Sequence, residues 1–470
     1  MTIPSFSKSG KAQKNMPLPP VYDWQCLSDT QKNALLARPV TQHDEERRRQ
    51  VSRIIDAVRH DGDAAVRSLT EQYDGVSVTD FRVSPAAITA AWEQSPAALR
   101  QALDSAKNRI AAFHRATCPQ PVSVTTAPGV VCETMPRPIQ RVGLYVPAGS
   151  APLPSTVLML AVPADIAGCP LKVLVTPPDA SGRADPVVLA AAALCGIDRV
   201  YLAGGAQAIA ALAYGTESFP KVDKIFGPGN AWVTEAKAQV AMDVAGASID
   251  MPAGPSEVLV VADGSAPARL TALDLLSQAE HGPDSQVVLV SSSQSVLEAV
   301  RQELQHQINR LNRAAVAAHA LQHARFIRVP DGAAMLAVSN AYAPEHLIIQ
   351  LRQPRQFLAG VTAAGSVFLG PWTPESLGDY CSGTNHVLPT NGYARNHSGL
   401  SVRDFMLHIS VQQASADGLR QIGPDAEKLA AVEGLDAHRL AVSERLRWLE
   451  KEAEDCSSGA SGSGITGKAP

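Results

Sequence analysis

The sequence predicts an α/β protein, with two Rossmann-like parallel-sheet domains and small helical segments at its N- and C-terminal ends. Two observations carry this. From residue 171 onward, short apolar runs of strand length alternate with helical runs, which implies a parallel sheet with helices on its faces. The alternation occurs twice in succession, and 470 residues suffice for two separate cores.

Residues 43–75, "HDEERRRQVSRIIDAVRHDGDAAVRSLTEQYDG", read as two helices; Val51, Ile54, Ile55 and Val58 form the apolar stripe of the first, and Gly75 stops the second. Residues 95–116 read as a further helix. "RVGLYVP" (141–147) has strand character and runs into Pro/Gly/Ser-rich "PAGSAPLPS". In the first alternating series, "LKVLVTP", "DRVYLAG" and "KIFGPGN" are strands, and "ADPVVLAAAALCG", "AQAIAALAYG" and "AWVTEAKAQVAM" are helices. The second series runs "SEVLVVAD", helix 267–281, "SQVVLVS", helix 295–311, "ARFIRVP", helix 331–340, "HLIIQL" and "GSVFLG". From about 425 the chain is helical again, with a break at Gly434. Residues 1–20 and the tail from Cys456 are Ser/Gly/Pro-rich, the composition of disordered chain.

Composition excludes several function classes. Formal net charge is −4 and no long Lys/Arg run occurs, so neither nucleic acid nor an acidic membrane is suggested as a partner. No apolar run approaches the ~20 residues of a membrane span, and the polar N-terminus lacks the apolar core of a signal peptide. The seven cysteines are scattered, odd in number and without a CxxC pair, which reads as reduced cytoplasmic thiols.

Polar residues gather at the ends of apolar elements. "SQAEHG" (277–282) closes a helix with Gln278 and His281 three apart on one face: a metal pincer, a polar surface end or an active-site wall. "AGGAQAIA" (203–210) places two glycines between strand and helix, either to cradle a pyrophosphate or to relax a tight turn. In "GPGNAWVTEAK" (227–237), Asn230 stands at a helix N-cap. "IDMPAGPSEVLV" (249–260) sets Ser256 and Glu257 at the mouth of a strand. "AYAPEHLII" (341–349) pairs Glu345 with His346, either a proton-transfer pair or a solvated loop. "ESLGDYCSGTNHVLPT" (375–390) carries Asp379 and His386, a possible metal pair at no standard spacing. "EGLDAHRLAV" (433–442) holds Glu433 and His438 around a helix break, where a His also complements the helix dipole. Burying such groups unpaired is costly, so their placement calls for a common site.

Together "RVGLYVPAGSAPLPSTVLML", "GGAQAIAALAYGTES", "FGPGNAWVTEAK", "DMPAGPSEVLV", "LLSQAEHGPDSQ", "APEHL", "GDYCSGTNHVLPT" and "EGLDAH" resemble the histidinol dehydrogenases, over about 38–448. The resemblance implies two sequential NAD-dependent oxidations of L-histidinol, through L-histidinal, to L-histidine. It implies one zinc ion per subunit on Gln278, His281, Asp379 and His438, and a catalytic pair at Glu345 and His346. Substrate contacts fall on Ser256, His386 and Glu433 besides these site residues, and NAD contacts on Tyr145, Gln207 and Asn230. It further implies a homodimer whose active sites are shared, Glu433 and His438 acting on the partner. The expected division is an extension and arm (1–37), a discontinuous α/β domain (38–144 and 257–392), an NAD-binding α/β domain (145–256), a dimerisation segment (393–455) and a disordered tail (456–470). The alternative is a related zinc- and NAD-dependent dehydrogenase of another small polar alcohol. Cys132 and Cys169 have no neighbouring His and read as structural.

Overall fold

The computed structural model describes residues 18–38, 45–148 and 152–459. Most of the N-terminal extension and of the Ser/Gly tail, both expected to be disordered, therefore lies outside the described residues; the last helix itself continues to Gly459. The chain forms two units, Met1–Cys118 with Pro138–Phe405, and Pro119–Arg137 with Met406–Pro470.

The first unit holds two all-parallel sheets. In the five-stranded sheet the order is Val200–Leu202, Leu171–Thr176, Arg141–Tyr145, Lys224–Phe226, Ser248–Ile249. The chain winds outward from Arg141–Tyr145 in one direction, then returns to its other side. In the six-stranded sheet the order is Val21–Asp23, Arg325–Arg328, Gln286–Ser291, Glu257–Ala262, His346–Gln350, Ser366–Leu369. There the reversal falls between Glu257–Ala262 and His346–Gln350. Both sheets thus have the doubly wound pattern that the alternation predicts.

The central strands are continuous apolar runs because helices cover both faces. Side chains alternate across the sheet. Val258 and Val260 face Leu275, Leu276 and Leu297, while Leu259 and Val261 face Met335, Val338 and Tyr342. The helix Glu45–Asp74 is broken at Gly62 (φ 52°), as two helices in succession require. Glu45–Asp74 packs on helix Gly205–Tyr214, Pro85–Gln94 on Pro186–Leu194, and Ala97–Ala116 on Pro154–Ala167. The N-terminal helices therefore cover the five-stranded half. Pro154–Ala167 is buried on nearly all sides, so it carries no amphipathic periodicity for sequence reading to detect.

The second unit contains a three-stranded sheet absent from the sequence expectation. Val122–Ala127 pairs antiparallel with Val130–Pro138 across a turn at Gly129 (φ 77°), and Met406–Ala414 lies on the other side of Val130–Pro138. Helices Ala416–Val432 and Asp436–Gly459 follow, separated by Gly434 at φ 70° as the sequence indicates.

Candidate active site

Strands Glu257–Ala262 and His346–Gln350 are parallel neighbours with His346 opposite Val258. Open α/β sheets usually bind ligands at the carboxyl ends of the strands flanking the reversal. Here the polar residues gather at the amino ends instead: Glu257 and His346 each begin a strand. Helix Ala268–Ala279 crosses back between two parallel strands, so its C-terminal end, with Gln278 and His281, returns to that edge.

Glu345 and His346 are both buried. Glu345 Oε2 accepts a hydrogen bond from the Glu257 N–H at 2.7 Å. His346 Nδ1 lies 3.0 Å from the Glu257 carbonyl oxygen. A carbonyl only accepts, so Nδ1 carries a proton and donates it there, which leaves Nε2 as the nitrogen available to other groups. Nε2 is buried without a hydrogen-bond partner and lies 3.6 Å from Asp379 Oδ1. Burial pushes the Glu345 carboxyl up to about 8. For His346 burial acts downward, but Glu345, Glu375 and Asp379 together outweigh it and push the imidazole up to about 10. A cation among those carboxylates would cancel that pull and free the nitrogen to accept a proton.

Such a cation has a place. Ligand atoms of His281, Glu375 and Asp379 lie within 4.8 Å of one another. Glu375 is fully buried, Asp379 half-buried and His281 exposed, so the cluster opens to solvent at His281. Burial drives the Glu375 carboxyl well above its usual range, and its Oε2 has no hydrogen-bond partner. A buried carboxylate in that state calls for a proton or a metal. Burial also opposes ionisation of Asp379, but the His346 imidazole outweighs it and holds Asp379 below its usual value. Gln278 touches the same cluster. Its amide is satisfied with the nitrogen donating to Glu375 Oε1 at 2.6 Å and the oxygen on the Glu257 N–H at 2.7 Å. Imidazole nitrogen with carboxylate oxygens suits a divalent cation of zinc type.

The structure thus brings Gln278, His281, Glu345, His346 and Asp379 together with Glu257 of the strand mouth, and adds Glu375. Glu375 stands four residues before Asp379 in "ESLGDY", so helical spacing was the available signal for it. Ser256, half-buried, directly precedes the strand. His386 donates from Nδ1 to the Asp379 carbonyl (2.8 Å) and accepts at Nε2 from Thr156 Oγ1 (3.2 Å). Thr156 opens the helix after strand Arg141–Tyr145, so His386 links the two halves of this unit. On the five-stranded half, buried Tyr145 ends its strand and accepts from the Gly205 N–H at 3.2 Å. Gln207 is buried on the following helix, and exposed Asn230 caps helix Ala231–Met242. Glu433 and His438 belong to the second unit, exposed on either side of the Gly434 break. Cys169 is buried and its thiol is pushed up to about 11 by burial, which fits a structural role.

A buried acid–imidazole pair beside metal-capable donors, on a doubly wound scaffold, is compatible with an α/β oxidoreductase. Known proteins narrow the class. Residues 37–446 match the family model of histidinol dehydrogenase. The histidinol dehydrogenase of Xanthomonas axonopodis pv. citri is 57% identical over 426 residues, covering 91% of this chain and 99% of that protein. That of Vibrio parahaemolyticus is 53% identical over 426 residues, covering 91% and 98%. A crystal structure of histidinol dehydrogenase from Elizabethkingia anophelis matches with TM-score 0.88 and 44% identity, over 92% of this chain and 99% of that one. The chain belongs to the histidinol dehydrogenase family, NAD-dependent oxidoreductases of histidine biosynthesis. Among the described residues no helix is long and apolar enough to cross a membrane.

Proposed function

We propose that the chain oxidises L-histidinol to L-histidine in two NAD-dependent steps, with His346 as the base and zinc at the cluster beside it. The observation that carries this reading is the free, buried Nε2 of His346 next to three metal-capable side chains. An alcohol carried to a carboxylate loses four electrons, and each NAD accepts two. The balance is RCH2OH + H2O + 2 NAD+ → RCOO− + 2 NADH + 3 H+.

Gln278, His281 and Asp379, with His438 of the partner subunit, are the proposed zinc ligands; Glu375 lies in the same cluster of side chains. When bound, zinc supplies a positive charge that holds the amine and imidazole nitrogens of the substrate in one orientation. His346 Nε2 takes the hydroxyl proton of the alcohol as hydride leaves its carbon. Glu345 then draws a proton from water, which adds to the aldehyde. His346 serves again as the hydrate loses its second hydride. Neither step uses a cysteine. A bound nicotinamide would supply the hydride acceptor for both steps. Its site is proposed on residues 145–256, where the reversal lies between Arg141–Tyr145 and Lys224–Phe226. Tyr145, Gln207 and Asn230 stand at or just beyond carboxyl ends of that sheet's strands.

A homodimer formed through 393–455 is part of the proposal, as is a cytoplasmic location. Exposed Leu407, Ile409, Leu429 and Val432 support an apolar interface on the second unit. Glu433 and His438 are then the residues that enter the partner's site. The test is purified protein with NAD and L-histidinol beside other amino alcohols, following NADH. Two NADH per L-histidinol is the expected result. One NADH per substrate, or preference for another amino alcohol, overturns the assignment.

A further inference from the structure

Both reacting side chains hang from the backbone of one residue, Glu257. Its N–H holds Glu345 Oε2 at 2.7 Å, and its carbonyl holds His346 Nδ1 at 3.0 Å. The same N–H lies 2.7 Å from the Gln278 amide oxygen. The direction of one carboxylate, the tautomer of one imidazole and the pose of one amide thus depend on where this single peptide sits.

The Glu257 side chain decides where that is. Its carboxylate is completely buried. Arg38, 219 residues away in sequence, meets it with a two-pronged pair, Nε to Oε1 at 2.9 Å and Nη2 to Oε2 at 2.7 Å. The remaining donors of the guanidinium reach the chain just before Glu345. Nη1 donates to the Tyr342 carbonyl at 2.6 Å, and Nη2 also lies 3.3 Å from that of Ala343. The guanidinium is stacked over the Tyr342 ring, 3.7 Å from its centroid. On the other side the Asn391 N–H donates to Glu257 Oε1 at 2.9 Å.

Backbone strain marks the same spot. Among the described residues, the non-glycine positions with positive φ are Ala343 (51°) and Asn391 (53°). One gives its carbonyl to Arg38, and the other gives its N–H to Glu257. Such conformations persist where surrounding interactions over-determine them, and they concentrate at functional sites. Two of them converging on one ion pair is more than an ordinary buried salt bridge needs.

We infer that the Arg38–Glu257 pair is a positioning device for the reaction. It anchors the turn that presents Glu345 and His346, and it sets their hydrogen bonds through the Glu257 backbone. The inference rests on the reading of His346 as the base. A flat, forked guanidinium is required, because an ammonium cannot satisfy two carboxylate oxygens and a backbone carbonyl in one plane.

The test uses Arg38→Lys, which keeps the charge but loses the fork, and Glu257→Gln, which keeps the shape and the backbone. Metal content, melting, kcat and both KM values are measured on the full-length enzyme. Misplacement of a reacting group predicts at least about a tenfold fall in kcat, with metal content unchanged and both KM values within about threefold. If the pair acts through His346, adding Arg38→Lys to His346→Asn costs at most about threefold more, because the two effects are not additive. Turnover within about twofold of the parent in both single variants overturns the proposal while leaving His346→Asn inactive. A loss confined to melting temperature or KM, or failure of both variants to fold, also overturns it, since the pair is then structural. Full turnover in His346→Asn is a different result: it removes the base itself.

Discussion

Lys237→Met tests how the proposed nucleotide half is held. Lys237 Nζ donates to the Gly227 carbonyl at 2.8 Å and to Asp250 Oδ1 at 2.5 Å. Asp250 also accepts from the N–H groups of Gly227 (2.8 Å) and Met251 (2.7 Å). The side chains are 5% and 1% exposed, so no water replaces a lost partner. The pair closes the turn between Phe226 and Asn230. Gly227 there sits at φ 121° with a Cβ position blocked by the Tyr145 carbonyl, so the turn has little room to relax. Methionine fills the volume but strands the carboxylate. Breaking a buried pair from one side costs about 3–5 kcal/mol, and the two surviving N–H donors favour the lower end, about 3 kcal/mol. At roughly 1–2 °C per kcal/mol for a unit of about 390 residues, melting should fall by roughly 3–6 °C. Adding Asp250→Asn removes the stranded charge and should recover about half of the loss or more. The assays are scanning calorimetry and the KM for NAD, which should rise while that for L-histidinol stays. A fall below about 2 °C, or a double variant as unstable as the single one, refutes the reasoning.

His346→Asn should lower kcat by about two to four powers of ten, the usual worth of general-base help, with metal content retained by elemental analysis; wild-type turnover sinks the assignment. Co-expression of His346→Asn with His438→Ala subunits tests sharing across the dimer: mixed dimers keep one intact site, so roughly a quarter of parental activity should return, and none argues that each subunit uses its own His438. Asp274 is buried and its carboxyl is pushed up to about 6 by that burial. Because the folded value lies above the unfolded one, stability is greatest with the group protonated and falls as pH rises from about 4 through 6. Asp274→Asn, which can still accept from Gln350 Nε2, should therefore raise melting at pH 8 by the equivalent of up to about 3 kcal/mol and change little at pH 4. An equal gain at both pH values contradicts the cause.

Fold class and much of the site are legible in the chain itself. Runs such as "EVLVVA" and "QVVLVS" carry at least four consecutive apolar residues without polar alternation, and only a strand covered on both faces needs that. "SQAEHG" and "PEHL" stand at element ends, where polar groups have no place in a core. The antiparallel sheet of the second unit escaped because Val122–Ala127 is largely exposed and too short for a clear alternation. Glu375 escaped because its helix is six residues long, so its one four-residue interval to Asp379 is not repeated and does not stand out.

Periodicity and turn chemistry act over a few residues, so the sequence alone determined the order of strands and helices, their stops at glycine and the motifs at their ends. Which residues meet was decided by tertiary structure. Strand pairing brings Glu257 beside His346, 89 positions apart, and burial there leaves an imidazole nitrogen without a partner. Only the folded chain joins Arg38 to Glu257, because the desolvation that makes their pairing obligatory does not exist until both are enclosed.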